Sequence, residues 1–186
     1  MTAQVVPGAA PRLETPRLLL RPCGDHDVSL VCAALRANAA RLGRSGDETL
    51  TRTATWITAE RAAWERGDRC SLIVLARGME KPTLWGQIAL SDVLRGPRQS
   101  ATLGFWVDAK VEGRGVAHEA LAAVVRFAFD DLRLERLEAA VLTDNQRSRR
   151  LLERLGFQLE GVARGYLPVG GVRTDHLLYA RLPGDR

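Results

Sequence analysis

A β-rich run from Ala101 to Val107 leads toward Gly113-Arg114-Gly115, and from there into about four turns of helical periodicity. Ala117, Leu121, Val124, Ala128 and Leu132 recur at spacings of 4, 3, 4 and 4, which places them on one face of a helix buried against a sheet. A second β-rich run, "RLEAAVLT", comes next, followed by a helical stretch from about 145 to 155 that stops at Gly156. "FQLEGVAR" and "TDHLLYARL" then read as strands joined by a loop around Tyr166 to Gly171. This half of the chain is therefore built from βαβ units.

The first half has another order. Arg17 to Arg21, between Pro16 and Pro22, fits a short strand near a sheet edge. "GDHDVSLVCAALRANAARLG" places Val28, Val31, Leu35 and Ala39 on one helical face, with Asp25 or Asp27 as cap and Gly43 as terminator. "TRTATWITAERAAWERGD" is a second helix, with Trp56, Ile57, Ala63 and Trp64 at helical spacings. "CSLIVLAR", "LWGQIALSDV" and "SATLGFWVDA" read as an antiparallel meander. Strands first and βαβ units afterwards predict one α+β domain, with a mixed central sheet of about six to seven strands and about four helices. Residues 1 to 12 read as a flexible N-terminus and 13 to 183 as the domain.

The glycine-rich junction is an anion cradle by construction. The first turn of a helix presents N–H groups without intrahelical partners, at the positive end of the helix dipole. Gly113 and Gly115 remove side chains where a ligand's oxygens approach, and Arg114 adds charge. A diphosphate suits this description, while a tight turn chosen only for its backbone dihedrals stays open beside it. GxxxxGK[ST] is absent and the GxGxxG spacing is not met, so ATP and NAD lose ground.

At 186 residues and 46% hydrophobic, the chain can bury one sizeable core. It lacks an apolar run of about 18 residues and a signal-peptide pattern, which predicts a cytoplasmic protein without a membrane partner. Cys23, Cys32 and Cys70 contain no CxxC pair and read as reduced thiols; no metal-ligand spacing joins them or the histidines. Net charge is +5, and Lys81 and Lys110 are the only lysines among 27 basic residues. That bias suits oxyanion contacts and also follows from GC-rich coding. The basic residues are spread along the chain, which disfavours nucleic acid as a partner.

Glu112-Gly113-Arg114-Gly115-Val116-Ala117 resembles the Q/R-x-x-G-x-G/A loop of the GNAT superfamily of acyl-CoA-dependent N-acyltransferases. "LETPRLLLRP" (13 to 22) and "DNQRSRRLLERLGF" (144 to 157) are similar to segments of its RimJ/RimL branch, which acetylates ribosomal-protein N-termini. The resemblance runs from about 13 to 182. It implies acetyl-CoA as acyl donor, with the diphosphate on the backbone amides of Gly113 to Ala117. It also implies a sheet splayed between the strand ending at Trp106 and Val107 and its neighbour, Arg136 to Leu142. The pantetheine arm would enter that gap, and a main-chain N–H near Val107 would polarise the thioester carbonyl. Asn145 would bond the pantetheine or hold the splayed strand, and a plain N-cap is the other reading. Ser148 is the candidate proton donor to the thiolate, because Leu152 stands where many relatives have Tyr.

The base is not evident, since Thr102 occupies the position where related enzymes often carry Glu. Glu112 replaces the usual Gln or Arg and would repel a diphosphate unless turned outward. An α-amine, with a pKa near 8, needs less help than a lysine near 10.4, so a protein N-terminal α-amine is the expected acceptor. A small-molecule amine, succinyl-CoA as donor, and a non-catalytic acyl-CoA-binding module are the alternatives; a homodimer is compatible with all of them. His26, His118 and His176 are weighed as polar or catalytic contacts, and Arg147, Arg149 and Arg150 as partners of a 3′-phosphate. The two N-terminal helices and the Tyr166 to Gly171 loop would hold the acceptor.

Overall fold

The computed structural model describes residues 10–43 and 46–185. Of the expected flexible terminus, residues 1–9 lie outside the described residues, and Pro11 is buried. The strands are β1 (Leu13–Glu14), β2 (Leu18–Arg21), β3 (Cys70–Ala76), β4 (Leu84–Leu94), β5 (Ser100–Val107), β6 (Arg136–Leu142), β7 (Gln158–Val169) and β8 (Val172–Arg181). The helices are α1 (Val28–Asn38), α2 (Leu50–Arg66), α3 (Val116–Arg126) and α4 (Gln146–Arg154). One eight-stranded sheet runs in the order β1-β2-β3-β4-β5-β6-β8-β7. Every neighbouring pair is antiparallel except β5 and β6, which are parallel because α3 crosses over between them.

The sheet is mixed as expected, with eight strands rather than six or seven. β1 is two residues long, pairing Leu13 with Leu20 and Glu14 with Leu19, too short to show a period of two. The expected loop from Tyr166 to Gly171 is instead mostly strand: β7 runs to Val169 and turns through Gly170 and Gly171, at φ 57° and 84°. Two successive left-handed residues make a tight hairpin that matches strand twist, and glycine takes them without steric cost. Asp27 does not cap α1 through its side chain. Its carboxylate takes both Arg21 Nη1 (2.6 Å) and Nη2 (2.8 Å), together with the Gly24 N–H at 2.8 Å.

Two cores flank the sheet. Leu72, Val74, Ile88, Leu90 and Leu103 meet Leu121, Val124 and Ala128 of the α3 side, whereas Ile73, Leu75 and Leu84 meet Val31 and Leu35 of α1. Coverage on both faces explains why β3 reads as a continuous apolar run instead of alternating. Each fully buried leucine or isoleucine contributes about 1.5–3 kcal/mol. The helical periodicity continues past Arg126 through a wider turn, Phe127–Asp131, where Leu132 N–H bonds Phe127 O at 3.0 Å.

The ladder between β5 and β6 is short. It joins Ser100 to Arg136, Ala101 to Leu137 and Thr102 to Glu138, and ends there. β5 continues to Val107 held only by β4, and β6 to Leu142 held only by β8. The two strands diverge, and each turns backbone donors and acceptors without strand partners toward a gap.

Candidate active site

The mouth of this gap is a cavity of about 710 Å³ where the end of β5, the glycine loop, the start of α3 and the start of α4 meet. Trp106, Val107, Gly113, Gly115, Val116, Ala117, Asn145 and Ser148 all line it, so residues far apart in sequence converge on one space. Arg114 does not line it; its carbonyl oxygen accepts from Arg17 Nη1 at 2.9 Å. His118 and Leu151 contribute to the wall, and so do Arg147 and Arg154, one face of α4.

The loop conformation requires its glycines. Gly113 and Gly115 have φ of 73° and 76°, and a Cβ built on Gly113 would meet nothing within 4 Å. That open space lies beside the helix start. The first backbone bond of α3 runs from Glu119 N–H to Gly115 O at 3.0 Å, leaving the N–H groups of Val116, Ala117 and His118 without intrahelical acceptors. With Arg147 and Arg154 nearby, these donors make a site for a doubly charged oxyanion, and a diphosphate fits the residues present.

Val107 has the orientation that the gap needs. Asp108 N–H donates to Trp85 O at 2.8 Å, toward β4. Directions alternate along a strand, so the N–H and C=O of Val107 face away from β4, toward the gap. Its carbonyl there accepts from Arg41 Nη2 at 2.7 Å. Arg41 also holds Glu112 Oε1, while Arg147 holds Glu112 Oε2. Glu112 is therefore ion-paired on both sides, which answers the repulsion that its charge would otherwise exert on a diphosphate.

Asn145 caps α4, its Oδ1 accepting from Ser148 N–H at 3.1 Å. The Ser148 hydroxyl lines the cavity without a protein partner among the described residues. Leu152 is fully buried in the core and does not line the cavity. Arg149 and Arg150 do not line the cavity, so only Arg147 of the three basic candidates reaches it. Thr102 sits at the end of the parallel ladder opposite Glu138, whose carboxylate is held by Arg136 at 2.8 Å. His176 is buried, with Nδ1 at 2.9 Å from Thr174 O and its ring 5.7 Å from that of Tyr166. His26 is exposed beside Asp27 and lies outside this cavity.

Several supporting residues had no local signal. Glu119 receives the Thr15 hydroxyl (2.6 Å), the Arg17 N–H (3.0 Å) and Arg17 Nε (2.6 Å), tying the start of α3 to the β1–β2 connection. Asn38 Nδ2 donates to Asp108 Oδ2 at 3.0 Å, fixing the end of α1 to the turn after β5. Burial pushes the Asp108 carboxyl up, but the Lys110 N–H and the Asn38 amide outweigh it and hold it below the ordinary range. Arg154 alone had a readable signal, lying seven residues after Arg147 on the same helical face.

A second cavity, about 470 Å³, lies on the opposite face of the sheet under α1 and α2. Leu42, Phe105 and Trp106 belong to both walls. Trp106 Nε1 donates to Gln87 Oε1 at 3.3 Å and Gln87 Nε2 to Ser71 Oγ at 2.8 Å, so the dividing indole is held in place. A third space, about 810 Å³, adjoins Cys23 and Cys70 beyond α2. Burial pushes both thiols up to about 12, which keeps them protonated at neutral pH.

Among the described residues no group of three or more His, Cys, Asp or Glu could hold a metal ion, and no helix is long and apolar enough to cross a membrane.

An α+β sheet opened between two parallel strands, with a glycine-rich helix start at the opening, defines an acyl-CoA-dependent acyltransferase fold. Residues 17–158 match the acetyltransferase (GNAT) domain model, and the chain belongs to that family. It is 40% identical over 102 residues to the probable N-acetyltransferase YjcK of Bacillus subtilis, covering 55% of this chain and 56% of that one. It is 38% identical over 100 residues to the [ribosomal protein uS5]-alanine N-acetyltransferase of Escherichia coli, covering 54% and 52%. The matches thus span about half the length of these curated relatives. Mycobacterium smegmatis RimJ, solved in complex with CoA-disulfide, superposes with a TM-score of 0.85 at 28% identity, over 94% of this chain and 87% of that one. The RimJ/RimL branch is therefore where its relatives and structural neighbours fall.

Proposed function

We propose that this chain transfers an acetyl group from acetyl-CoA to a primary amine, with the α-amine of a protein N-terminus as acceptor. The observation that carries the reading is the convergence of the unpaired α3 amides and the gap-facing backbone of Val107 on one cavity. In this reading the amides of Gly113, Gly115, Val116 and Ala117, with Arg147, hold the diphosphate, while Arg114 N–H is turned back to Val111 O. Trp106 and Val107 line the path of the pantetheine, and Asn145 caps the helix that closes it.

The amine nitrogen forms a C–N bond to the thioester carbonyl carbon, the C–S bond breaks, and the ammonium proton leaves to water. Val107 N–H stabilises charge developing on the carbonyl oxygen, a contact whose loss costs on the order of 3 kcal/mol in other enzymes. Ser148 donates a hydrogen bond to the departing sulfur, and any proton it passes to the thiolate is replaced from the water that took up the amine's proton. An α-amine with a pKa near 8 is partly neutral at pH 7 to 8, so no strong base is required. Relatives named as ribosomal-protein acetyltransferases support a ribosomal or other protein N-terminus as partner, and with it a cytoplasmic setting.

The test follows release of CoA thiol with acetyl-CoA or succinyl-CoA and a panel of N-terminal peptides, lysine peptides and small amines. Transfer to α-amines supports the reading, whereas tight CoA binding without transfer would leave a non-catalytic acyl-CoA module. Gly115→Val, which cannot adopt φ 76° without strain, should weaken CoA binding at least tenfold. Unchanged affinity would remove the cradle from this position.

A further inference from the structure

The 810 Å³ cavity beyond α2 is larger than the donor cavity and shares no lining residue with it. One face of α2 contributes Trp56, Glu60 and Trp64 to its wall. These three follow one another four residues apart, so they stack along the helix at intervals of about 6 Å. A carboxylate therefore stands between two half-buried indoles. Pro22, Cys23 and Cys70 add apolar surface. Both thiols are neutral, through burial first, with the Glu60 charge adding to its effect. The volume falls in the range of small-molecule sites.

The charged groups of this wall are committed in a one-sided way. Each arginine is already answered by a carboxylate: Arg21 by Asp27 at 2.6 Å, Arg61 by Asp25 at 2.9 Å and Arg12 by Glu14 at 3.0 Å. The carboxylates keep capacity to spare. Glu60 takes Arg69 Nε on Oε2 at 2.9 Å, while its Oε1 accepts no hydrogen bond among the described residues and is not sealed from solvent. Glu65 also lines the cavity and pairs with no cation among the described residues. An anion entering here meets uncompensated negative charge and no free guanidinium. A cation meets indole faces and an open carboxylate oxygen, and because the Glu60 side chain is only 14% exposed, solvent screens that charge weakly.

We infer that this cavity binds an organic ammonium ion carried on an apolar body, with the cation at Glu60 between Trp56 and Trp64 and the apolar part against Pro22 and Cys70. The site is separate from the donor cavity, so its ligand is not the reacting amine and the inference does not depend on the acetyltransferase reading.

The experiment titrates the full chain with phenylbutyltrimethylammonium, phenylpentanoate and phenylpentanol, three probes of one shape with a cationic, an anionic and a neutral head. Binding is read by tryptophan fluorescence, since Trp56 and Trp64 are two of the four tryptophans, and by Tm. The ammonium should saturate one site, raise Tm and bind at least tenfold more tightly than the carboxylate, with the alcohol between them. Glu60→Gln and Trp64→Leu should each weaken the ammonium about three- to tenfold while leaving the alcohol within about twofold, and Trp64→Phe should keep the preference because it keeps an aromatic face. CoA Kd should be unchanged in all three variants. No saturable binding of the ammonium, equal affinity for the carboxylate, or a preference that survives both Glu60→Gln and Trp64→Leu overturns the inference. Displacement of the ammonium by CoA would put it in the donor cavity and overturns it too.

Discussion

Arg17 and Glu119 are 102 residues apart in the chain, and their side chains meet at 2.6 Å. The same guanidinium reaches the Arg114 carbonyl at 2.9 Å, so one residue braces both the glycine loop and the first turn of α3. Replacing Arg17 by Ala should therefore weaken CoA binding about three- to tenfold without touching the ligand, through a looser loop. Calorimetric titration with CoA tests this, and an unaltered Kd would show that the loop holds its shape unaided. Because Arg17 is about half exposed, its contribution to global stability should stay near 1 kcal/mol or below.

Glu119 makes this brace sensitive to acid. Burial pushes its carboxyl up, but the Thr15 hydroxyl, the Arg17 N–H and the Arg17 guanidinium outweigh it and hold it below the ordinary 4.5. A carboxyl lowered by folding adds stability that is fully present above its unfolded value and is lost as pH falls through its folded one. Wild type should lose this contribution only below about pH 4.5, and Glu119→Gln should lack it at neutral pH, by about 1–3 kcal/mol. Urea melts from pH 3 to 7 give the comparison. Two curves separated by a constant offset down to pH 3 would contradict the assignment.

Glu112 places a negative charge in a cavity read as a diphosphate site, and it engages Arg41 and Arg147 at once. Glu112→Gln removes the charge and frees both guanidiniums. CoA should then bind about three- to tenfold more tightly at low ionic strength, with the gain shrinking as salt shortens the screening length below about 10 Å. Weaker binding would mean that Glu112 serves chiefly to hold the arginines in place.

Gly86 lies opposite Val107 in the β4–β5 ladder, where an added Cβ would collide with the Trp106 carbonyl oxygen. The obstacle is backbone and has little freedom to move. Gly86→Ala should cost about 1–3 kcal/mol of stability and lower kcat more than it raises KM for acetyl-CoA, since it displaces the Val107 N–H. Wild-type kcat in a stably folded variant would show that this end of β5 does not act on the thioester.

Local features of the chain were legible because their causes are local. The α3 stripe, the positive φ of Gly113 and Gly115, the cap at Asn145 and the meander from β3 to β5 each follow from rules acting over a few residues. The order of these signals was enough to indicate the mixed sheet. The two strands of the β7–β8 hairpin are legible, but the outer end of β7, Tyr166 to Val169, reads as loop although Gly170-Gly171 flanked by valines signals a tight turn, because that exposed stretch lacks a buried face.

Other features have no local cause. Nothing near Arg41 in sequence indicates that it reaches Val107 and Glu112, and nothing near Thr53 indicates that its hydroxyl is buried without a partner among the described residues. Periodicity, capping and glycine dihedrals are properties of short segments and survive in the bare order of residues. The extent of the β5–β6 gap, the pairing of Arg17 with Glu119 and the space beneath α2 arise only when distant segments pack. Such contacts depend on distances between parts of the chain that no short stretch of residues encodes.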